Sequence, residues 1–285
     1  MVWWRLGPSA AGAAAVGMGR SRWHSRSRAL RRELVANRIA PARGVFEVAE
    51  LEPLPAPVRR YLTLVLPEGQ PMIAAAGVAQ RGSFNLSETG AQWRPFTARQ
   101  RIIPCRPGFH WDARIQMLPG LSVRVQDAYV AGSGSLYAAV LGLVPLLRLE
   151  GTDALARGEL MRFLAETPWI PTALLPGGGL TWQVVDDSCA RAVLSDGDLR
   201  VSLLFRFGSD GLVQSVYAED RPRMVGGLPV PTPWEGRWLD YRRRDGLLVP
   251  ARGEVAWIID GVRRPYWRGE VRSIRHQRAP CESAR

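Results

Sequence analysis

Four Asp-Gly pairs, at Asp196-Gly197, Asp210-Gly211, Asp245-Gly246 and Asp260-Gly261, divide the last third of this 285-residue chain into runs of alternating apolar and polar residues. Asp-Gly tolerates the positive φ angles that tight turns between right-twisted strands require. The runs 180–186, 189–194, 199–207 and 212–219 are therefore predicted to be sequential antiparallel neighbours. Runs 234–244, 247–250, 254–260 and 266–274 extend the same meander.

Earlier in the chain, Leu121, Val123 and Val125 alternate with Ser122, Arg124 and Gln126 after a Pro119-Gly120 turn, and 93–103 and 108–117 are two further strands. Leu54, Val58, Tyr61, Leu62 and Val65 instead share one helical face, with Pro57 in the first turn and Pro67-Gly69 beyond the end. Residues 135–175 are predicted to interrupt the sheet. The apolar stretch 135–150, broken by Gly142 and Pro145, is expected at a greasy opening or buried, and a helix capped by Thr152 carries Ala156, Leu160, Phe163 and Leu164. No βαβ alternation or repeat of 20–50 residues is present, and Gly177-Gly178-Gly179 lacks the preceding strand and following helix of a dinucleotide loop. The expected fold is mainly β (α+β), a large curved antiparallel sheet or half-barrel partly wrapped around a few helices. Residues 51–275 form one domain with a helical insertion at about 135–175, preceded by a basic leader, 1–50, that ends in a short helix near 30–39, and followed by a disordered tail, 276–285.

The net charge of +12 sits at the ends. Residues 1–50 hold nine arginines against three acids, 263–285 hold seven against two, and the body between them is nearly neutral. All 38 basic residues are Arg, a pattern of high-GC coding, so no specific nucleic-acid partner is expected. The segment 2–19 is apolar but interrupted by Arg5, Pro8 and several glycines, short of a strong membrane span, and the arginines that follow it fit a membrane surface. Cys105, Cys189 and Cys281 are too few and scattered for a disulfide framework. Their reduced state fits a cytoplasmic location, with association at the cytoplasmic face of the inner membrane through the basic N-terminal region. The three histidines, 24, 110 and 276, suggest no metal site; alternation places His110 and Asp112 on one sheet face. No cofactor is expected.

Tryptophan is the least ordinary feature, with 11 residues spread through the chain. Trp169, Trp182, Trp234, Tyr241 and Trp267 are candidates to line an elongated apolar groove, with Glu166, Asp186 and Arg223 near its polar end. Noncovalent binding of a lipid-like or amphiphilic small molecule is the leading expectation. Two alternatives stay open: a hydrolase using Glu166 with Asp186 or Asp187 as acid and base, and a structural or protein-interaction module. Pairing of these carboxylates with Arg162, Arg191, Arg221 or Arg223 is the simpler use for them.

The ordered blocks LPAPVRRYL, FLAETPWIPTALLP and PYWRGEV, together with WRPFTARQ, PGFHWDARI and LTWQVVDD, resemble a bacterial family of unknown function common in actinobacteria. The resemblance spans roughly 51–275. It implies an N-terminal membrane segment, of which 2–19 would be a weak or truncated form, and it carries over no catalytic residue.

Overall fold

The computed structural model describes residues 10–87 and 89–279. Thirteen antiparallel strands form one sheet curled into a half-barrel. The first six are β1 (Ile73–Asn85), β2 (Trp93–Ile103), β3 (Gly108–Leu118), β4 (Leu121–Val130), β5 (Ser133–Val140) and β6 (Val144–Glu150). The others are β7 (Leu180–Val184), β8 (Cys189–Asp196), β9 (Leu199–Phe207), β10 (Val213–Val225), β11 (Leu228–Arg244), β12 (Leu247–Ile259) and β13 (Val262–Arg278). Every strand except one pair neighbours its predecessor or successor in sequence. The exception is β1 against β13, paired from Ala75↔Gln277 to Phe84↔Trp267 with a register shift between Ala79 and Gln80, which seams two meanders and leaves β6 and β7 as the sheet edges.

The Asp-Gly turns form as expected: Asp245 and Gly246 (φ 53 and 86) and Asp260 and Gly261 (φ 52 and 73) both adopt the double left-handed conformation. The helix α2 (Ala56–Val65) buries Val58, Tyr61, Leu62 and Val65, the face that its spacing defines. The helix α3 (Asp153–Ala165) starts at Thr152, whose hydroxyl accepts the Leu155 amide at 3.2 Å. Thr152→Ala is expected to cost about 1 kcal/mol, measured as a shift in denaturant midpoint, because it leaves that amide uncapped.

Three expectations are corrected. Residues 135–150 are not helical but complete the sheet as most of β5 and all of β6, because Leu141 and Gly142 turn the chain at φ 53 and 75 and make a hairpin of an apolar run. The helical part of the insertion is α3 with short 3-10 turns at Thr167–Trp169 and Pro171–Leu174. Residues 276–278 are not tail: they end β13, paired across the seam, and His276 accepts a place in the core with its ring nitrogen 2.9 Å from the Trp169 carbonyl.

The third correction concerns the leader. A helix expected only near 30–39 runs over α1 (Ala10–Ala36), and it lies on the convex face of β2, β3 and β4. Ala, Arg and Leu are strong helix formers, and the sheet supplies what an isolated basic helix lacks. Trp23 and Leu34 are buried. Trp23 Nε1 and Ser27 Oγ each donate to the Asp112 carboxylate at 3.0 Å, and Arg31 Nε donates to His110 Nδ1 at 3.3 Å. His110 and Asp112 share one face, as alternation predicts, and that face serves the helix. Burial, then the charge of Arg31, push the His110 ring down to about 4, so it is a neutral acceptor. No cluster of metal-binding side chains occurs among the described residues, and no helix among them is long and apolar enough to cross a membrane. Cys281 and residues 2–9 of the weak apolar segment lie outside the described residues.

Candidate functional site

Helix α3 crosses the concave face, packing on β3, β4 and β5 at one side and on β9 and β10 at the other. The space left between the helix and the sheet is a cavity of about 980 Å³. Its walls are mainly apolar: Trp111, Val125, Leu136, Ala138, Leu149 and Trp257 contribute to them. That volume is at the upper end of what small-molecule sites enclose.

Glycine is what keeps the space open along β12 and β13. A Cβ on Gly253 would fall 2.8 Å from the Trp238 ring, and one on Gly269 would fall 2.1 Å from the Trp267 ring. The indoles therefore lie along the sheet over bare backbone instead of filling the interior.

The floor is polar and built from three strands and α3. Gln80, Gln100 and Asp127 occupy inward-facing positions on β1, β2 and β4, among apolar neighbours of the same parity. Trp111 Nε1 donates to Gln80 Oε1 at 2.8 Å, Gln80 Nε2 to Gln100 Oε1 at 3.1 Å, and Gln100 Nε2 to Glu166. Arg162 joins the two ends of this network, its Nε donating to Glu166 at 2.9 Å and its Nη1 to Asp127. The guanidinium lies 4.8 Å from the Phe109 ring centroid and 5.1 Å from that of Trp111, a desolvated cation between aromatic faces. Nearby Arg221 lies 4.9 Å from the Trp234 ring and 5.4 Å from that of Trp257, while donating to the Gly158 carbonyl and to Tyr266 Oη.

Glu159 is the one floor carboxyl without a guanidinium bonded to it. Burial first, and then the charge of Asp127, push its pKa up to about 8, against the opposing pull of Arg162 and Arg221. At neutral pH it is a carboxylic acid within hydrogen-bonding reach of Asp127. Asp127 Oδ1 and Glu159 Oε2 are both buried without a hydrogen-bond partner, a setting that favours a shared proton over two carboxylate charges.

Of the residues singled out by sequence, Trp169, Trp234, Trp267, Arg223 and Glu166 line this cavity. Trp169 is at its buried end, edge-on to Trp238 at 5.0 Å, with Nε1 donating to the Pro250 carbonyl at 3.1 Å. Trp182 and Tyr241 do not line it. Trp182 packs edge-on against Phe205 and donates to the Leu174 carbonyl, while Tyr241 Oη donates to the Val213 carbonyl beside Tyr61 of α2. Asp186 and Asp187 lie on the exposed turn between β7 and β8. There Asp186 accepts the amide and hydroxyl of Ser188, which hold its pKa low, and the Asp187 carbonyl accepts Arg60. The carboxylates offered as an acid and base pair with Glu166 are thus not brought to it. Asp127, Gln80, Gln100 and Tyr266 were missed; the signal for Asp127 was its parity, since it continues the inward series Leu121, Val123, Val125.

Fold and site together define a curled antiparallel half-barrel with an apolar cavity over an ion-paired floor. The chain belongs to DUF6920, a family of unknown function whose model matches residues 52–276. Among solved structures it is similar to a LolA superfamily protein, NE2245, from Nitrosomonas europaea, at 12% identity and a TM-score of 0.40, with 79% of this chain and 93% of that one covered. It is also similar to a DUF1329 family protein from Desulfovibrio piger, at 8% identity and a TM-score of 0.38, with 72% and 86% covered. A comparison with curated proteins finds no match.

Proposed function

We propose that this protein binds an amphiphilic, lipid-like molecule noncovalently, with the apolar part in the cavity and the polar end toward the arginines of its rim. The observation that carries this reading is a cavity of about 980 Å³ whose walls are mainly apolar and whose floor is already hydrogen-bonded to itself. A floor with its charges paired offers little to a polar ligand group, whereas the indole and aliphatic walls gain by covering apolar surface, roughly 25 cal/mol for each Å² removed from water. Arg223, Arg237, Arg264 and Arg268 also line this space, Arg237 and Arg268 in ion pairs with Glu235 and Glu254 that are more exposed to water than those of the floor, and a polar head can share them.

Native mass spectrometry of gently purified protein, followed by extraction, is the direct test, with a co-purifying amphiphile as the expected result. A variant makes the site itself accountable. Ala138 is a half-buried wall residue, and Ala138→Trp is expected to fill part of the cavity, weakening binding of an apolar fluorescent probe by roughly tenfold or more while leaving the denaturation midpoint nearly unchanged. Undiminished probe binding by that variant would remove the cavity as the site.

A further inference from the structure

The hydrogen-bonded floor leaves two of its oxygens unserved. Asp127 gives Oδ2 to Arg162, but its Oδ1 and the Oε2 of Glu159 are buried with no donor. The two residues are 9% and 6% exposed and both line the cavity, so these oxygens have left bulk water without gaining a protein partner. The neighbouring guanidiniums are committed elsewhere, Arg162 to Glu166 and Asp127 Oδ2, Arg221 to the Gly158 carbonyl and Tyr266 Oη. One proton shared by the two carboxyls supplies a single donor for two acceptors. A second donor has to come from the cavity.

The place of the pair suits a group carried far along a ligand chain. Val123, Val125 and Asp127 line the cavity in succession along β4, whereas Tyr129, the next inward residue, is fully buried and does not. The apolar wall therefore runs for roughly 13 Å, at 3.3 Å per residue, before it ends on the carboxyl. Trp111 and Leu136, the cross-strand neighbours of Asp127, continue the apolar surface on either side of it.

Charge decides the kind of donor. Asp127 and Glu166 balance Arg162 and Arg221 once Glu159 holds its proton, so an ammonium group would add an unbalanced buried charge and a neutral donor would not. A hydroxyl donates and accepts through one atom, which fits it to the pair whichever carboxyl holds the proton. We infer that the bound amphiphile carries a hydroxyl group on the buried part of its chain, received by Asp127 and Glu159. The inference rests on the amphiphile reading of the cavity and narrows it to hydroxylated chains.

The test is displacement of an apolar fluorescent probe at neutral pH by saturated fatty acids of about ten to sixteen carbons, each beside the same acid with a terminal hydroxyl. In a wholly apolar cavity the hydroxyl would be dehydrated without a partner and would weaken binding on the order of tenfold. The opposite sign is expected: the hydroxy acid whose length reaches the pair should bind on the order of tenfold more tightly than its parent acid. Glu159→Gln replaces the one proton with two amide hydrogens, so that Asp127 Oδ1 is served without a ligand, and this variant should lose the preference. Because the preference is a ratio within one protein, a general loss of affinity does not imitate it. Parent acids that displace the probe, with no hydroxy acid binding more tightly, overturn the hydroxyl site and leave the amphiphile reading standing. A preference that Glu159→Gln retains likewise overturns the assignment to this pair. Failure of every acid to displace the probe overturns the amphiphile reading, and the hydroxyl site falls with it.

Discussion

Arg162→Met is expected to lower the free energy of unfolding by about 3–5 kcal/mol, the range for removing one partner of a buried ion pair. Methionine keeps the length and apolar stem of the side chain, so the loss isolates the guanidinium. Asp127 and Glu166 would then face the aromatic wall of Phe109 and Trp111 with no cation, and α3 would lose its attachment to β4. Denaturant midpoints at fixed pH measure the effect. Adding Glu166→Gln should restore part of the loss by removing one stranded charge while leaving an acceptor for Gln100. A loss below about 1 kcal/mol would mean that the floor is open to water and that α3 is held by its apolar contacts alone.

Between pH 6.5 and pH 8 the protein is expected to lose up to about 2 kcal/mol of stability, and Glu159→Gln is expected to abolish most of that loss. Folded Glu159 keeps its proton to about pH 8, whereas in the unfolded chain it releases it near 4.5. The folded state therefore holds the extra proton across this interval, and the stabilisation, complete below pH 4.5, disappears as pH rises through 8. The buried histidines act in the opposite sense and elsewhere. Burial pushes the rings of His110 and His276 down, so their contribution is present above pH 6.5 and is lost as pH falls. The carboxylates held low by arginines, Glu150, Glu254 and Glu270, are also lost only on acidification. Thermal or denaturant midpoints across the interval measure the slope. A wild-type midpoint that rises from pH 6.5 to pH 8 would show Glu159 to be ionised in the folded protein.

The strands were legible because their turns are chemical: Asp-Gly, Pro-Gly and Gly-Ser-Asp-Gly mark hairpins whatever lies around them. Residues 199–207, 93–103 and 121–130 accordingly form strands over the same bounds. Where a turn lacked that chemistry the reading failed. Leu141-Gly142 does not announce a hairpin, and the apolar residues 135–150, on both faces of edge strand β6 and its neighbour β5 near a cavity, lose the alternation that would mark them as β. Pro250 divided β12 in the sequence but not in the sheet, where it pairs with Tyr241.

Trp169, Trp234 and Trp267 were reached through the capacity of an indole to border a cavity, and Glu166 through its place at the end of a helix. Trp182 and Tyr241 are aromatic too, yet they pack half-buried against the core away from the cavity, because which surface an aromatic residue meets is decided by the curl of the sheet. Local sequence does not encode that curl. Of the floor, the Glu166–Arg162 pair was legible as the simpler use of that carboxylate, and its joining to Asp127 was not. Arg162 and Glu159 share α3, but Asp127 lies 35 and 32 residues before them on β4, and their proximity to it exists only once α3 has crossed the concavity.

The β1–β13 seam has a kinetic corollary. Each of the other strand pairings joins segments linked by a hairpin, so both meanders can assemble from contacts that are near in sequence. The seam joins residues such as Arg81 and Glu270, 189 positions apart, and cannot form until a loop of that length has closed. Closure entropy grows only slowly with loop length, but it must be met before any long-range contact rewards it. The slowest step in reaching the native state should accordingly be the meeting of two preformed half-sheets. Until they meet, β1 and β13 are unpaired edges, and the chain is at its most prone to join another copy of itself.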